Sequence, residues 1–264
     1  MNRPVTIDPD RLEAYVRHIN ELQYDTVCLP PFVLFFTPGD PSPYGNYAKP
    51  LEPVGGDLGA PLELLRGEFR GRGRLPRFEF VEQFAPDLAA ALAAAGFQEE
   101  SRLHLMVCTP ETFRPAPPVA GLEVMALGPH SPRRDVRALL RVQREGFGMV
   151  GDELQEGDDL PRAMQGGSQA FLARLDGQAV GAGGYQRPYG GVTEVVGIAT
   201  LEAFRRRGVA TALTAAATRM AFDNGVAIAF LTAGDERAGR VYERVGFRPF
   251  ATMLAYSDGT HVHS

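Results

Sequence analysis

The chain has 264 residues, 44% of them hydrophobic and 22% charged, with a formal net charge of -5 at pH 7. That length suits one large domain or two ordinary ones, and the balance excludes a disordered chain. The acidic total excludes a protein that binds polyanions with its whole surface, so any basic patch needs a local reason.

In chain order, the first apolar residues are interrupted by Asp8, Asp10, Arg11 and Glu13, unlike a signal peptide. Residues 61–70, PLELLRGEFR, read as an amphipathic helix that runs into a basic, glycine-rich stretch, GEFRGRGRLPR, at 67–77. FEF at 78–80 follows, then LAAALAAAGFQEESRLHLMV at 88–107, which reads as a helix, a Gly-Phe and an alternating strand. AGRVYERVGFRPFATMLAYS at 238–257 has the same shape, and Gly96 and Gly246 stand 150 positions apart. Either the first part is a worn copy of the second, or two α/β domains share a common unit. The seam between them is RPAPPVAG, 114–121, where three prolines suit an extended connector. Two domains are expected, at 1–115 and 116–264.

The second part alternates cleanly. GLEVMAL (121–127) reads as a strand, and 132–148 as a helix with Val136, Leu139, Leu140 and Phe147 near one face. Residues 149–167 are acidic and glycine-rich. Asp176-Gly177 between two apolar runs signals a hairpin within 169–186, and 191–200 is a further strand. A helix over 208–223 places Val209, Leu213, Ala216 and Met220 together and ends at Asn224-Gly225. Strand 226–233 is continuously apolar, as in a sheet covered on both faces. Asp235 caps a helix carrying Ala238, Val241, Tyr242 and Val245, Gly246 stops it, and the chain returns as a last strand. The fold class is a mixed α/β sheet flanked by helices.

Three arginines, Arg205, Arg206 and Arg207, stand where that 208–223 helix begins. Cations there oppose the helix dipole, whereas unpaired N–H groups and the dipole favour an anion. Gly208 lets main chain approach such an anion closely, and arginines pair with phosphate oxygens through planar forks. The turn is neither a Gly-Lys-Ser/Thr phosphate loop nor the G-x-G-x-x-G fingerprint. A solvated basic turn without a ligand is the other reading of the charges alone.

Arg205 to Ala210 fits R/Q-x-x-G-x-G/A, after an apolar strand and at a helix start. This resembles the pyrophosphate loop of the GNAT superfamily, the acetyl-CoA-dependent N-acetyltransferases. Strand 226–233 with Asp235, Ala238, Tyr242 and Gly246-Phe247 is similar to that family's Asn-x-x-Ala-x-x-x-Tyr-x-x-x-Gly-Phe helix. The resemblance covers about residues 120–257 and is faint over 1–115, a degenerate GNAT-like half. It implies a mostly antiparallel sheet whose strands 193–200 and 226–233 splay apart around acetyl-CoA. Pantetheine would follow Ile198, Ala199 and Thr200, with Gly197 as a bulge. Pyrophosphate would rest on N–H groups from Arg206 to Ala210, Val209 included, with the side chains of Arg205, Arg206 and Arg207 on the phosphates. Asp235 replaces the family's asparagine, and Glu202 and Thr200 replace its usual proline and aliphatic residue. Asp235 cannot donate to the cofactor as an amide would.

The resemblance further implies direct acetyl transfer to a primary amine, without a covalent enzyme intermediate. Tyr242 is the implied acid for the leaving thiolate and Glu194 the implied base, with N–H groups near Ile198 and Ala199 polarising the carbonyl. A packed aromatic and a solvated edge carboxylate are the structural alternatives for these two residues. The acidic run GDELQEGDD (151–159) and YQRPYGG (185–191) fall where an acceptor wall is expected, for a small-molecule or peptide amine. A non-catalytic acyl-CoA-binding protein is the alternative, as is a longer acyl group or an oxygen acceptor. Two cysteines, Cys28 and Cys108, make no disulfide framework, and His261 and His263 show no ligand spacing, so no metal is expected. No stretch reaches the ~18 apolar residues of a membrane helix. A cytoplasmic protein that binds neither nucleic acid nor membrane is expected, with monomer or homodimer left open.

Overall fold

A computed structural model describes residues 7–128, 130–149 and 166–259. It is a mixed α/β protein with mostly antiparallel sheet and six α-helices among the described residues. Two compact units divide the chain: one built on Met106–Pro249, the other on residues up to Leu105 together with the chain from Phe250. The proline connector at 114–121 lies inside the first of these.

The unit that holds the N-terminal half begins with α1 (Pro9–Gln23), where the Asp8 carboxylate accepts the N–H of Arg11 at 2.8 Å and caps the helix. β1 (Asp25–Leu29), β2 (Phe32–Phe36) and β3 (Asn46–Pro50) form an antiparallel ladder, and β3 touches β4 (Arg77–Val81) in parallel at Ala48↔Phe78. Between β3 and β4 runs α2 (Gly59–Gly71). Its Leu62, Leu65 and Phe69, three and four apart, join Phe32, Phe78 and Phe80 in one core. After β4 come α3 (Leu88–Ala94) and β5 (Gln98–Cys108). The last strand of the chain, Arg248–Ser257, runs antiparallel to β4 from Met253↔Val81 to Ser257↔Arg77 and adds Leu254 and Tyr256 to that core. Lys49 Nζ lies 3.1 Å from Glu13 Oε2, with side chains only 2% and 5% exposed. Both charges are otherwise satisfied: Lys49 donates to Glu79 O, and Glu13 Oε1 accepts the N–H of Val81.

In the other unit, β6 (Leu122–Leu127), β7 (Gln169–Leu175), β8 (Gln178–Tyr185) and β9 (Val192–Thr200) are successive antiparallel neighbours, and β10 (Ile228–Ala233) lies parallel to β9. Asp176 and Gly177, with φ of 50° and 81°, make the expected two-residue turn. α4 (Arg133–Gly146) covers one face and α5 (Val209–Asp223) the other. Alternation decides the partner. Phe171, Ala173 and Val195 meet Val209, Leu213 and Ala217 of α5, while Leu172, Ala182 and Leu201 meet Leu139 and Val142 of α4. α6 (Glu236–Val245) packs on α5 and β10 and leads into the last strand, now β11.

Two packing expectations change. Phe147 is 54% exposed, because α4 ends at Gly146 and Phe147 lies past its last turn. Leu140 is half-buried, and Val142 takes the core position instead. On α5 the buried face includes Thr211, Thr214 and Thr218 with Ala217 and Ala221, while Ala216 and Met220 are half-buried. Small side chains all round this helix leave no single apolar stripe to set its face, and Thr214 satisfies its hydroxyl on Ala210 O at 2.8 Å.

The repeat at an offset of 150 extends to whole elements. α2 falls on α5, β4 on β10, α3 on α6, and β5 on β11. Gly96 and Gly246 both stop their helices with φ of 90° and 103°.

Candidate active site

β9 and β10 pair over only three residues, Ile228↔Val192, Ala229↔Thr193 and Phe230↔Glu194. Beyond that point each strand continues, to Thr200 and to Ala233, without pairing to the other. A bulge accompanies the parting. The register between β8 and β9 shifts between Ala182 and Gly184, which leaves one extra residue on β9 around Gly197. Gly197 has φ of 64°, a region that a side chain rarely allows. α4 holds the bulge from one face. Gln143 Nε2 donates to Gly197 O at 3.3 Å, and a Cβ on Gly146 would meet Ala199 Cβ at 2.8 Å.

The parted strand offers main-chain groups to the opening. The N–H of Leu201 donates to Val180 O on β8 at 3.0 Å. Neighbouring peptide groups point to opposite edges, so the N–H and C=O of Thr200 face the β10 side. Ile198 is half-buried and Ala199 buried, and the Thr200 hydroxyl is buried without a hydrogen-bond partner.

At the end of β9 a single turn, Glu202–Phe204, leads into the arginines. Arg206 (φ 64°) and Gly208 (φ 83°) are both left-handed, a turn of the kind whose successive N–H groups form an anion-binding concavity. α5 then starts with no side-chain cap, and Ala212 N–H to Gly208 O, at 2.9 Å, is its first helical bond. The N–H groups of Val209, Ala210 and Thr211 have no helical acceptor. Arg205, Arg206 and Arg207 are exposed and form no ion pair among the described residues. Arg205 Nε reaches Thr200 O at 3.4 Å, and Arg207 lies over the Phe204 ring at 5.3 Å. The matching position in the repeat is built differently. There Asp57 Oδ1 accepts the N–H of Gly59 at 2.8 Å, so α2 starts on a carboxylate of its own chain.

Tyr242 lies on α6, half-buried, with its ring 6.2 Å from that of Phe247. Burial first, and the charge of Asp235 second, raise its phenol above the ordinary tyrosine range. Asp235 caps α6, its Oδ1 accepting the N–H of Ala238 at 2.7 Å. Glu194 is half-buried on β9, opposite Phe230, where the parallel pairing ends. Its carbonyl accepts the N–H of Gln186 at 2.8 Å, and the Gln186 amide oxygen is buried without a partner. Sequence reasoning missed Gln143, because nothing local marks a helix glutamine that reaches a strand fifty-odd residues away. The acidic run 151–159 lies outside the described residues, as do His261 and His263. A cavity of about 290 Å³ lies between the proline connector (Pro115, Pro117, Val119) and Ala212, Ala216 and Arg219 of α5.

The acetyltransferase (GNAT) family model matches residues 136–247. The chain carries a GNAT acetyltransferase domain. A GCN5-related N-acetyltransferase from Kribbella flavida is similar in structure at a TM-score of 0.81, with 27% identity over 98% of both chains. One from Sphaerobacter thermophilus gives 0.61 at 17% identity, over 93% of this chain and 84% of that one. A tandem GNAT protein of the clavulanic acid biosynthesis pathway gives 0.60 at 16%, over 87% and 79%. Among curated protein sequences nothing matches. In this GNAT domain the parted strands are β9 and β10, the arginine turn opens α5, and the tyrosine helix is α6. No group of three or more His, Cys, Asp or Glu among the described residues could hold a metal ion. Among the same residues no helix is long and apolar enough to cross a membrane.

Proposed function

We propose that this GNAT protein moves an acetyl group from acetyl-CoA directly to a primary amine of a small molecule or peptide. One observation carries the reading. The β9/β10 ladder opens just past Glu194, and the open edge of β9 leads to an uncapped helix start with three exposed arginines that form no ion pair among the described residues. A pantetheine arm fits the unpaired edge at Ile198, Ala199 and Thr200. A diphosphate fits the N–H groups from Arg206 to Ala210 and the side chains of Arg205, Arg206 and Arg207. Asp235 Oδ1 is engaged as the cap of α6.

In this reading Glu194 takes a proton from the amine, and the nitrogen attacks the thioester carbonyl. The carbon–sulfur bond breaks, and Tyr242 protonates the departing thiolate. A raised phenol pKa keeps Tyr242 protonated at neutral pH, as an acid requires. Holding both reactants in one cleft supplies much of the rate.

The N-terminal half, 1–115, is read as a degenerate copy of the catalytic half, 116–264. The element-by-element offset supports this, and at the start of α2 the Asp57 carboxylate, on the Gly59 N–H, stands where the catalytic half has Arg207. The protein is read as cytoplasmic, with free thiols. Calorimetric titration of coenzyme A, paired with a thiol-release screen of acetyl-CoA against amines, amino acids, peptides and aminoglycosides, tests the reading. Absence of heat and of thiol release would end it.

A further inference from the structure

Two hydrogen-bond acceptors share one face of the sheet beside the opening. Tyr185 and Val195 are cross-strand partners, and both lie in the core under α5. Side chains alternate along a strand, so the next pair, Gln186 and Glu194, points to the opposite face, the one α4 covers. The pair is fixed by the Gln186 N–H on Glu194 O at 2.8 Å and by the Thr193 hydroxyl on Gln186 O at 2.5 Å. Side chains of such a pair begin about 5 Å apart. The preceding pair on the same face is Gly184 and Val196. It contributes no polar side chain.

The amide oxygen of Gln186 is buried and has no hydrogen-bond donor. Buried acceptors in native proteins nearly always find one, and an orphan in a binding face marks where a ligand donor belongs.

We propose that Gln186 Oε1 and the Glu194 carboxylate together hold the acceptor's ammonium group, and that Gln186 thereby selects primary amines. The proposal rests on the acyl-transfer reading above. A primary ammonium carries three N–H bonds. One points at Glu194, which takes that proton and frees the lone pair. The nitrogen then bonds the thioester carbon as the carbon–sulfur bond breaks. A second N–H proton leaves the nitrogen for water, and water returns one to Tyr242 in place of the one it gave to the thiolate. The third N–H remains in the amide product and stays on Gln186 Oε1 throughout. A secondary amine has no N–H left at the end, and an alcohol has only the one its base removes. Both leave the buried oxygen unsatisfied as the product forms.

The test uses the full-length protein, acetyl-CoA and matched acceptors: 2-phenylethylamine, L-lysine and glucosamine, each beside its N-methyl amine. Wild type is expected to favour the primary member by at least about tenfold in kcat/KM. Gln186→Leu is expected to raise the amine KM about tenfold and erase that preference, with the KM for acetyl-CoA unchanged. If Gln186→Leu no longer binds coenzyme A by calorimetry, Gln186→Asn, which withdraws the oxygen, is read in its place with the same expectation. A preference that survives the substitution, or is missing in wild type, overturns the proposal alone. Wild type that binds coenzyme A but releases no thiol with any amine overturns the acyl-transfer reading and this proposal with it.

Discussion

Gln143 Nε2 donates to the carbonyl of Gly197 at 3.3 Å, so a helix side chain grips the extra residue of a strand. A Cβ on Gly197 would run into that same amide, and its φ of 64° is strained for any L side chain. Gly197→Ala is therefore expected to cost about 1–3 kcal/mol of stability. It should also straighten β9 toward β10 and narrow the opening. Thermal unfolding and coenzyme A calorimetry check this together. A lower Tm with unchanged affinity would mean that the bulge does not shape the cleft.

The arginine turn separates stability from binding. Three cations at a helix start are unfavourable without an anion. Arg205→Ala with Arg207→Ala should leave the Tm of the ligand-free protein the same or higher. Charge-assisted bonds contribute about 1.5–3 kcal/mol. Losing two should weaken coenzyme A binding by at least about tenfold, and flatten its dependence on salt. Titrations at low and high ionic strength read both effects. Unchanged affinity would place the phosphates elsewhere.

Tyr242 can act as an acid only while protonated. Its pKa is raised by burial and then by the charge of Asp235, so the proton is held to higher pH than in free tyrosine, about 10. The activity lost by deprotonating this acid should appear only above that value, and the loss comes as pH rises. Tyr242→Phe should lower kcat about a hundredfold or more, leave coenzyme A affinity intact and abolish that alkaline limb. Rate profiles from pH 6 to 11 for both proteins check it. An unchanged kcat would leave Tyr242 as a packing residue against Phe247.

Much of this was legible from local signals. Asp176-Gly177, Asn224-Gly225, Asp235 and Gly246 each announce a turn or a cap through their own conformational preference, and each stands in that place. Gly208 announces the start of α5 in the same way, whereas the left-handed Arg206 carries no such signal. Long-range effects were not legible. The burial of Thr211, Thr214 and Thr218 depends on what packs on α5, and the Gln143 contact depends on where α4 crosses β9. The Gln186 acceptor shows only when cross-strand pairing sets its neighbour.

The compact units do not coincide with the sequence halves. Residues 253–257 of β11 pair with β4, and Met106 and Cys108 at the end of β5 are buried in the core with Val245 and Phe247. Arg114 N–H also donates to Val245 O at 2.8 Å, and the main chain at Thr112 closes against Gly246. A fragment of residues 116–264 loses the partner of β11 and these core residues at once. Burial of a side chain such as Met contributes about 1.5–3 kcal/mol, and a typical domain has only about 5–15 kcal/mol in total. The fragment is therefore expected to lack fixed tertiary packing and to bind no coenzyme A, although it holds every proposed site residue. Near-UV circular dichroism and calorimetry of the fragment beside the full chain decide it. A fragment that folds cooperatively and titrates like the whole protein would show that β4 and β5 are dispensable to the catalytic half.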